Sequence, residues 1–245
     1  MKTDYLVAFG FIFFLRTHSE YLNRNAGETP IMEYQDLIEE TFRSSIDHME
    51  AALTACQDSF ASAIHKAVAI VENGGTLFFA GNGGSAADAS HIASELVGAF
   101  EHYTAPLPAI SLVTDISSLT SISNDFSFER TILQQARALV HQRDQIWLIS
   151  TSGDSMNLFH TAAWARDRKI STVALLGKRG GRIAGQVDYP IVVPGENTQR
   201  IQEVHEVLLH ILAAALKRRF PEGLPWQPVK QQPGHLPDQV DDILP

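Results

Sequence analysis

A doubly wound α/β fold, in which helices cover both faces of a five-stranded parallel sheet, is the fold class that this sequence predicts. Short β-rich apolar runs alternate with longer segments of helical periodicity through the middle of the chain. Such alternation is typical of a parallel sheet buried between two helical layers. The predicted strands are residues 76–80, 108–113, 145–150, 171–177 and 189–193.

The helices are expected before, between and after these strands. A helical hairpin is expected first, in residues 33–73, as an N-terminal addition to the sheet. Periodic apolar positions then predict helices over residues 85–100, 128–140, 155–168 and 200–220. One domain, residues 32–220, accounts for all of these elements.

The two ends of the chain differ from this central body. The apolar run at residues 5–15 is about half the roughly 20 residues that a membrane-spanning helix needs, and no signal-peptide cleavage pattern follows it. Residues 1–31 are therefore expected to be a disordered leader or a mis-assigned start. Six of the chain's 11 prolines lie in residues 221–245, which predicts an extended or disordered tail.

Charge and cysteine content exclude several function classes. With 19 Lys and Arg against 28 Asp and Glu, the formal net charge is -9, so no general basic field holds nucleic acid. The single cysteine, Cys56, excludes an internal disulfide and a multi-thiolate metal site, and it fits a reducing cytoplasm. A metal ion would need His, Glu, Asp or Gln ligands. No nucleic-acid or membrane partner is expected.

The first candidate binding loop, GNGGS at residues 81–85, follows the first predicted strand. Ligands of doubly wound sheets bind beyond the carboxyl ends of strands, where loops lead into helix N-termini with unpaired N–H groups. The glycines allow positive φ and close backbone approach, and Asn82 and Ser85 can bond hydroxyl groups. The pattern is neither G-x-G-x-x-G nor a Walker motif, so dinucleotide and ATP binding lose their main support.

The second candidate loop, STSGDS at residues 150–155, follows the third predicted strand. Four hydroxyl groups and a glycine at a helix start suit a phosphate group, although the loop has no Lys or Arg. Helix capping is the competing interpretation, but a cap uses only one hydroxyl group. Asp154 counts against phosphate, because a carboxylate repels an anion unless it points away or pairs with a cation.

Acid, base and metal-ligand candidates lie on the first and last helices after the hairpin. Asp88, His91 and Glu95 share one helix face, and the four-residue spacing of the last two lets both reach one ion. The last helix carries Gln202, His205 and His210. Eight residues, about 12 Å of helix rise, separate Gln202 from His210. Binding one ion would need long side chains, a distorted helix or ligands from two subunits, and the sequence leaves this open.

Four motifs in this order resemble those of the phosphoheptose isomerases, enzymes with a sugar isomerase (SIS) domain. The motifs are GNGGSAADASHIASEL at 81–96, SND at 123–125, STSG at 150–153, and RIQEVH at 200–205 followed by His210. The likeness runs from about Met32 to Phe220. It implies a flavodoxin-like SIS domain and a cytoplasmic homotetramer that converts sedoheptulose 7-phosphate to D-glycero-D-manno-heptose 7-phosphate. In the family, that reaction is the first step toward the heptose of bacterial lipopolysaccharide.

The resemblance also implies roles for individual residues. One zinc ion per subunit would be bound by His91, Glu95, Gln202 and His210. Sugar contacts are implied for Asn82, Gly83, Gly84, Asn124 and Asp125, with Glu95 and Gln202 also at the substrate. Phosphate contacts are implied for Ser150, Thr151, Ser152 and Ser155. The acid and base steps would fall to Glu95 and His210.

The implied reaction agrees with these residue types. Conversion of a ketose to an aldose moves a proton between C2 and C1 through an enediol, so it needs a base, an acid and stabilisation of the developing oxyanion. Zinc can stabilise that oxygen, and no organic cofactor is required. Because a carboxylate that binds a metal is a weakened base, His210 is expected to take the proton and Glu95 to act at the oxygens.

Three positions depart from the family pattern: Ala99 replaces a frequent Arg, Asp154 a usual Asn, and Gln199 an Asp of some members. Loss of a guanidinium and gain of a carboxylate both weaken anion binding in principle. Two alternative functions therefore stay open. One is a SIS-domain regulator of the type that binds the bacterial replication initiator, and the other is a different sugar-phosphate isomerase or etherase. Retention of the implied metal ligands favours an enzyme.

Overall fold

The computed structural model describes residues 34–101 and 105–224. The expected leader, residues 1–31, and residues 225–245 of the expected tail lie outside the described residues. The tail prediction is wrong at its beginning, because Leu224 is buried in the hydrophobic core. The chain divides into a first unit that ends at Ser44 and a second that begins at Ser45. In the first unit, the described residues are helical, and their exposed large apolar side chains are Tyr34, Leu37, Ile38 and Phe42.

Five parallel strands form the sheet of the second unit. They are β1 (Leu77–Gly81), β2 (Ala109–Ser111), β3 (Gln145–Ser150), β4 (Ser171–Leu176) and β5 (Tyr189–Val192). Their spatial order is β2-β1-β3-β4-β5, and every neighbouring pair is parallel. This is the flavodoxin-like order of a doubly wound sheet. The predicted fold class is confirmed, and each predicted strand overlaps an observed one.

Six α-helices accompany the sheet in the described part of the chain. They are α1 (Tyr34–Glu72), α2 (Gly84–Val97), α3 (Ile116–Asp125), α4 (Thr131–Leu139), α5 (Met156–Asp167) and α6 (Thr198–Arg219). Short 3₁₀ turns lie at Phe128–Arg130 and Ala184–Gln186. Within the residues that the structure describes, no helix combines the length and the apolar character that crossing a bilayer would require.

Two hydrophobic cores, one on each face of the sheet, hold the helices in place. Along β1, Leu77 and Phe79 belong to a core with residues of α1, α2 and α6. Phe78 and Ala80 belong to the opposite core, with residues of α4 and α5. Successive side chains of a strand point to opposite faces, so the continuous apolar run at residues 77–80 reflects burial on both sides.

One uninterrupted helix of 39 residues, α1, occupies the segment in which a helical hairpin was expected. The hairpin prediction is wrong because a tight turn needs a helix-breaking signal, and no Gly or Pro occurs between Tyr34 and Glu72. Beyond Ser45, the buried positions of α1 recur every three or four residues, as one helix face requires. These positions are Ala52, Cys56, Phe60, Ala63, Ala67, Ile70 and Val71.

Candidate active site

The two candidate loops lie side by side at the carboxyl edge of the sheet. Strands β1 and β3 are neighbours, with Gly81 in register with Ile149. The chain leaves β1 toward β2 on one side and leaves β3 toward β4 on the other. Such a switch in direction opens a crevice between two strand ends, where doubly wound folds bind ligands. Both sequence-predicted loops therefore begin at the expected crevice.

The first loop, at residues 81–85, depends on close backbone packing. Gly83 adopts φ of 56°, in the left-handed region that glycine tolerates best. A Cβ atom at Gly84 would lie 2.4 Å from the Nε2 atom of Gln202, so glycine here lets α6 approach the start of α2. The predicted sugar-contact residues Gly83 and Gly84 are both exposed.

Asn82, the amide of this loop, bonds to the beginning of α5. Its Nδ2 donates to Oδ1 of Asn157 at 2.9 Å, and Nδ2 of Asn157 donates back to Oδ1 of Asn82 at 2.8 Å. Asn157 is buried. Each amide oxygen can accept a second hydrogen bond and each NH₂ has a second hydrogen, so Asn82 retains capacity for a sugar hydroxyl while its orientation is fixed.

The second loop, at residues 150–155, gathers serine hydroxyl groups instead of using them as a helix cap. The Oγ atom of Ser150 lies 3.5 Å from that of Ser152 and 3.4 Å from that of Ser155. Ser155 is the N-cap residue of α5, yet its side chain makes no cap hydrogen bond. Helix capping therefore does not account for Ser155, and the clustered hydroxyl groups lie at the N-terminus of α5, where an anion is stabilised.

Asp154, the residue that counted against phosphate binding, is paired with a cation. Its Oδ1 accepts from the backbone N–H of Arg182 at 3.1 Å and lies 3.4 Å from Nε of the same residue. The loop after β4 carries two further cations, Lys178 and Arg179. This loop packs directly on the second one, since a Cβ atom at Gly153 would lie 2.2 Å from the carbonyl oxygen of Gly180. A basic loop thus borders the hydroxyl cluster.

Two His–Glu pairs face each other between α2 and α6. On α2, Nε2 of His91 lies 3.1 Å from Oε1 of Glu95. On α6, Nε2 of His210 lies 3.4 Å from Oε1 of Glu206. The pairs also contact across the helices, at 2.5 Å between Nδ1 of His91 and Glu206 and at 3.7 Å between His210 and Glu95. We call these four residues the His–Glu cluster.

The His–Glu cluster fits a divalent metal ion. His91, Glu206 and His210 each offer a ligand atom, and these atoms lie within 4.8 Å of one another. Among the described residues, the Oε2 atoms of Glu95 and Glu206 are buried without a hydrogen-bond partner. Buried carboxylate oxygens need a compensating donor or cation, and imidazole with carboxylate is a ligand set that zinc accepts.

Gln202 lies one helical turn before Glu206 and contacts Asp88 instead of the cluster. Its Nε2 donates to Oδ1 of Asp88 at 3.2 Å. Burial raises the pKa of Asp88 to about 6, and the Glu206 carboxylate adds to that rise, while the Gln202 bond opposes it. A pocket of about 410 Å³ is lined by Ala87, Asp88, His91, Gln199, Gln202, Glu203 and Glu206. Helix α6 is continuous, so helix distortion does not resolve the eight-residue spacing.

Asn124 and Asp125 are the last two residues of α3, and both are exposed. Nδ2 of Asn124 donates to Oδ1 of Asp125 at 2.9 Å. Within residues 34–101 and 105–224, neither residue hydrogen-bonds to the two loops or to the His–Glu cluster. No hydrogen bond among the described residues therefore brings these two predicted sugar contacts to the crevice.

Comparison with known proteins assigns the family. The sequence model of the SIS domain family matches residues 41–177. A phosphoheptose isomerase of Helicobacter pylori is 38% identical over 185 residues, 76% of this chain and 96% of that protein. The enzyme of the same name from Laribacter hongkongensis is 41% identical over 188 residues, with the same two shares.

The chain belongs to the phosphoheptose isomerase family of SIS-domain proteins. A structure of a phosphoheptose isomerase from Francisella tularensis agrees with it at a TM-score of 0.73 and 33% identity, over 76% of this chain and all of that chain. The corresponding structure from Neisseria gonorrhoeae gives 0.71 and 34%, over 76% and 99%. The protein is therefore a sugar-phosphate isomerase, and the prediction of an aldose–ketose isomerase is confirmed.

Three contributors to this phosphoheptose isomerase site were missed from the sequence. Glu206 lies four residues after Gln202 and four before His210. Helical spacing would therefore have placed it on the same helix face as these two residues. Arg182 belongs to a basic, glycine-rich run after a predicted strand, which also marks the ligand edge of the sheet. Asn157 had no such signal, because a single buried amide on a helix follows no pattern.

Proposed function

We propose that the protein converts sedoheptulose 7-phosphate to D-glycero-D-manno-heptose 7-phosphate by zinc-assisted proton transfer through an enediol. The observation that carries the proposal is the pair of facing His–Glu contacts between α2 and α6, in a chain whose strand β3 leads into a serine-rich helix N-terminus. Together these supply what a ketose–aldose isomerase needs: groups for acid and base steps, a metal-ligand set, and a cradle for phosphate.

The phosphate group is held by Ser150, Thr151, Ser152 and Ser155. Their hydroxyl groups and the N-terminus of α5 are donors that favour a dianion. Because the whole chain carries a formal charge of -9, local donors must offset a repulsive field. The basic loop with Lys178, Arg179 and Arg182 supports this by adding positive charge next to the cradle.

The sugar chain lies along the first loop, where Asn82, Gly83 and Gly84 offer an amide and exposed backbone groups. Glu95 and Gln202 contribute from the facing helices. Asn124 and Asp125 are included on their motif, and they contact a sugar in this crevice only if α3 approaches or if another subunit supplies them. The chain itself thus provides the loop half of the sugar site.

Zinc is bound by His91, Glu95, Gln202 and His210, one ion per subunit. The buried, unpartnered Oε2 atom of Glu95 and the convergence of both imidazoles on its Oε1 atom support that ligand set. When bound, a zinc ion stabilises the negative charge that develops on the carbonyl oxygen. Gln202 reaches the ion by exchanging its bond to Asp88, which its flexible side chain allows.

Proton transfer is divided between Glu95 and His210. His210 removes a proton from C1 of the ketose and returns it at C2, which needs a group that is partly unprotonated near neutral pH. Glu95 moves the proton between the oxygens on C1 and C2 of the substrate, because a carboxylate can accept a proton from one oxygen and donate it to the other. The ring centroid of Phe100 lies 6.0 Å from that of His210, so an aromatic side chain lies beside this imidazole.

A cytoplasmic homotetramer is part of the same proposal, with residues 32–220 as its SIS domain and the two ends as appendages. Exposed Val97, Val207 and Ile211 lie within four residues of Glu95, Glu206 or His210. Apolar side chains exposed beside a site are suited to a subunit contact. Sedimentation velocity checks the assembly, since a stable monomer contradicts it.

The deciding experiment combines metal analysis with turnover. The purified chain is assayed with sedoheptulose 7-phosphate, then after chelation, and then with zinc restored. We expect bound zinc near one equivalent, turnover that chelation abolishes, and recovery on adding zinc. Ketose phosphates of five and six carbons are the matched substrates, and they should react much more slowly.

Two outcomes contradict the proposal. A chain with neither zinc nor heptose-phosphate turnover is not the proposed enzyme. Faster turnover of a five- or six-carbon ketose phosphate would assign the site to another sugar-phosphate isomerase, the alternative that the changes at Ala99, Asp154 and Gln199 keep open.

A further inference from the structure

Glu206 is the residue of the His–Glu cluster to which no motif gives a role. We propose that Glu206 is a positioning residue of the metal site, which holds the His91 imidazole by its Nδ1 atom so that Nε2 faces the metal. This rests on the proposed function, because it takes a divalent ion at the cluster as given.

The contact between Glu206 and His91 is a charge-assisted hydrogen bond. Oε1 of Glu206 lies 2.5 Å from Nδ1 of His91, shorter than the about 2.7–2.9 Å usual for an N–H donor and an ionised oxygen. The Glu206 side chain is only 29% exposed, and its other oxygen is buried without a partner among the described residues. A bond in such surroundings is stronger than one on an open surface.

Interatomic distances distinguish the proposed positioning atom, Oε1 of Glu206, from the proposed metal-ligand atoms. Zinc–ligand bonds of about 2.0–2.1 Å set neighbouring tetrahedral ligand atoms roughly 3.3 Å apart. Oε1 of Glu95 fits that spacing, at 3.1 Å from Nε2 of His91 and 3.7 Å from Nε2 of His210. Oε1 of Glu206 also lies at such a spacing from Nε2 of His210, at 3.4 Å. Its 2.5 Å contact with Nδ1 of His91 is nevertheless too short for two ligands of one ion, so that contact is a hydrogen bond on the other side of the ring.

The tautomer of His91 follows from that bond. A neutral imidazole has one N–H donor and one lone pair. Both nitrogens of His91 face a carboxylate, Nδ1 that of Glu206 and Nε2 that of Glu95, and an ionised carboxylate can only accept. An ion at Nε2 would need the lone pair there, which leaves the single proton on Nδ1, toward Glu206. A carboxylate that holds a histidine ligand in this way fixes the ring and raises its basicity, and its loss typically weakens metal binding about 10- to 100-fold.

Two alternative roles for Glu206 lead to different results. A surface ion pair with His210, four residues away on the same helix, would leave metal affinity unchanged. A direct ligand would place the metal next to Glu206 and leave His91 free to bind through either nitrogen. Metal affinity and the protonation site of His91 therefore distinguish all three roles.

The test compares Glu206→Ala and Glu206→Gln with the unmodified protein, and Glu203→Gln is the matched control. Glu203 lies on the same helix and lines the same pocket, and its ion pair is with Arg200. Zinc dissociation constants are measured by competition with a chromophoric chelator. We expect Glu206→Ala to bind zinc about 10- to 100-fold more weakly, Glu206→Gln to lose less because its amide oxygen still accepts from Nδ1, and Glu203→Gln to match the unmodified protein.

The second measurement is ¹⁵N NMR of the histidine rings in the zinc-loaded, unmodified protein, which does not depend on how the variants fold. The expected spectrum has a protonated Nδ1 and a metal-bound Nε2 at His91. A metal-bound Nδ1, or equal zinc affinity in Glu206→Ala and Glu203→Gln, would overturn the assignment and leave the proposed function intact. If the unmodified protein binds no zinc, the proposed function and this assignment fail together.

Discussion

One carboxylate oxygen, Oε1 of Glu95, is approached by both imidazoles of the His–Glu cluster, at 3.1 Å from His91 and 3.7 Å from His210. The Glu95 side chain is 19% exposed and that of His210 is 40% exposed. Neither side chain belongs to the hydrophobic cores and both are partly exposed, so each is free to act on a ligand. Substitution at either position should therefore change chemistry more than folding.

We expect Glu95→Gln and His210→Gln each to lower kcat by at least about 100-fold, the lower range for loss of an acid or base group. Both replacements are close in size, so thermal unfolding curves measured without metal should stay nearly unchanged. Steady-state rates with the heptose phosphate measure the effect. His160→Gln is the control, because His160 also lies near a carboxylate, 3.6 Å from Glu129, but on another face. A rate within a few-fold of normal removes the substituted residue from the mechanism.

Charge compensation explains how the second loop tolerates Asp154. The ion pair with Arg182 is more than half exposed on both sides, so its own stabilisation is small. Its effect is local: the carboxylate charge that would repel a phosphate is balanced by a guanidinium that the chain brings from 28 residues away. The departure at Asp154 thus comes with a compensating cation.

Residue types and helical spacing predicted the His91–Glu95 pair and the serine loop from the sequence. His210 was a weaker candidate, since one histidine on an amphipathic helix is usually packed or solvated. Glu206 was missed although its spacing from His210 equals that of Glu95 from His91. The reason is physical: the sequence shows which residues share a helix face, but not which two faces meet.

Helix α6 is the element that carries half of the cluster, and its beginning is fixed by Asn197. The Oδ1 atom of Asn197 accepts from the backbone N–H groups of Gln199 and Arg200, at 3.0 and 3.3 Å. At the other end, Lys217, Arg218 and Arg219 complement the negative end of the helix dipole. Both termini therefore stabilise the helix on which Glu206 and His210 lie.

Asn197→Ala should lower the free energy of unfolding by about 1 kcal/mol, the usual loss for a helix N-cap. Two backbone donors lose their acceptor, while the cluster, further along the helix, keeps its geometry. Urea unfolding measures the change, and kcat should stay within about twofold of normal. Glu196→Ala, one residue earlier and outside the helix, should be neutral. Equal stability of the two variants would show that the cap is not a stabilising contact.

Strands and helices with buried apolar residues could be predicted from the sequence, whereas a helix without buried residues could not. The central strands β1 and β3 were found because every one of their residues is buried, and the edge strands β2 and β5 were found although part of each is exposed. Helix α3 was not predicted. None of its residues is buried, and its three apolar residues, Ile116, Leu119 and Ile122, are interrupted by serine and threonine, which favour turns and caps over helix interiors. A hairpin was predicted for residues 33–73 because a single helix of 39 residues is much longer than most helices. The sequence nevertheless contains no residue that would break such a helix.

At the scale of the whole molecule, His205 connects titration to folding. Its ring is fully buried, with Nε2 3.1 Å from the carbonyl oxygen of Leu176 at the end of β4. Burial lowers the pKa of His205 from 6.5 to about 4, although the Leu176 bond acts in the opposite direction. The folded protein therefore keeps this ring neutral at pH values where an unfolded chain protonates it.

Stability should consequently fall as the pH drops from about 6.5 toward 4. In that range the unfolded chain takes up a proton that folded His205 refuses, so unfolding becomes easier. The total loss is roughly 3 kcal/mol at about 1.4 kcal/mol per pKa unit, and above this range the contribution is constant. Urea unfolding at several pH values measures it. His205→Gln should flatten the slope, and parallel curves for the two proteins would exclude His205 as the cause.

The fold class of the second unit could be predicted because alternating strands and helices admit few topologies. The strand order supports the same conclusion, since both ligand loops follow the two strands at the switch in direction. How α2 and α6 approach could not be predicted. Gly84 lies against the amide end of the flexible Gln202 side chain, but a single glycine in a loop does not reveal what lies against it.

The reciprocal amide bonds between Asn82 and Asn157 join the first candidate loop to the start of α5, which follows the second candidate loop. Two short side chains with both bonds made leave little freedom for the loops to separate or close. The span from cradle to loop is thus set by the fold before any ligand arrives. Under the proposed function, the crevice selects substrates by length. An open-chain sugar phosphate that is too short would contact one of the two candidate loops but not both.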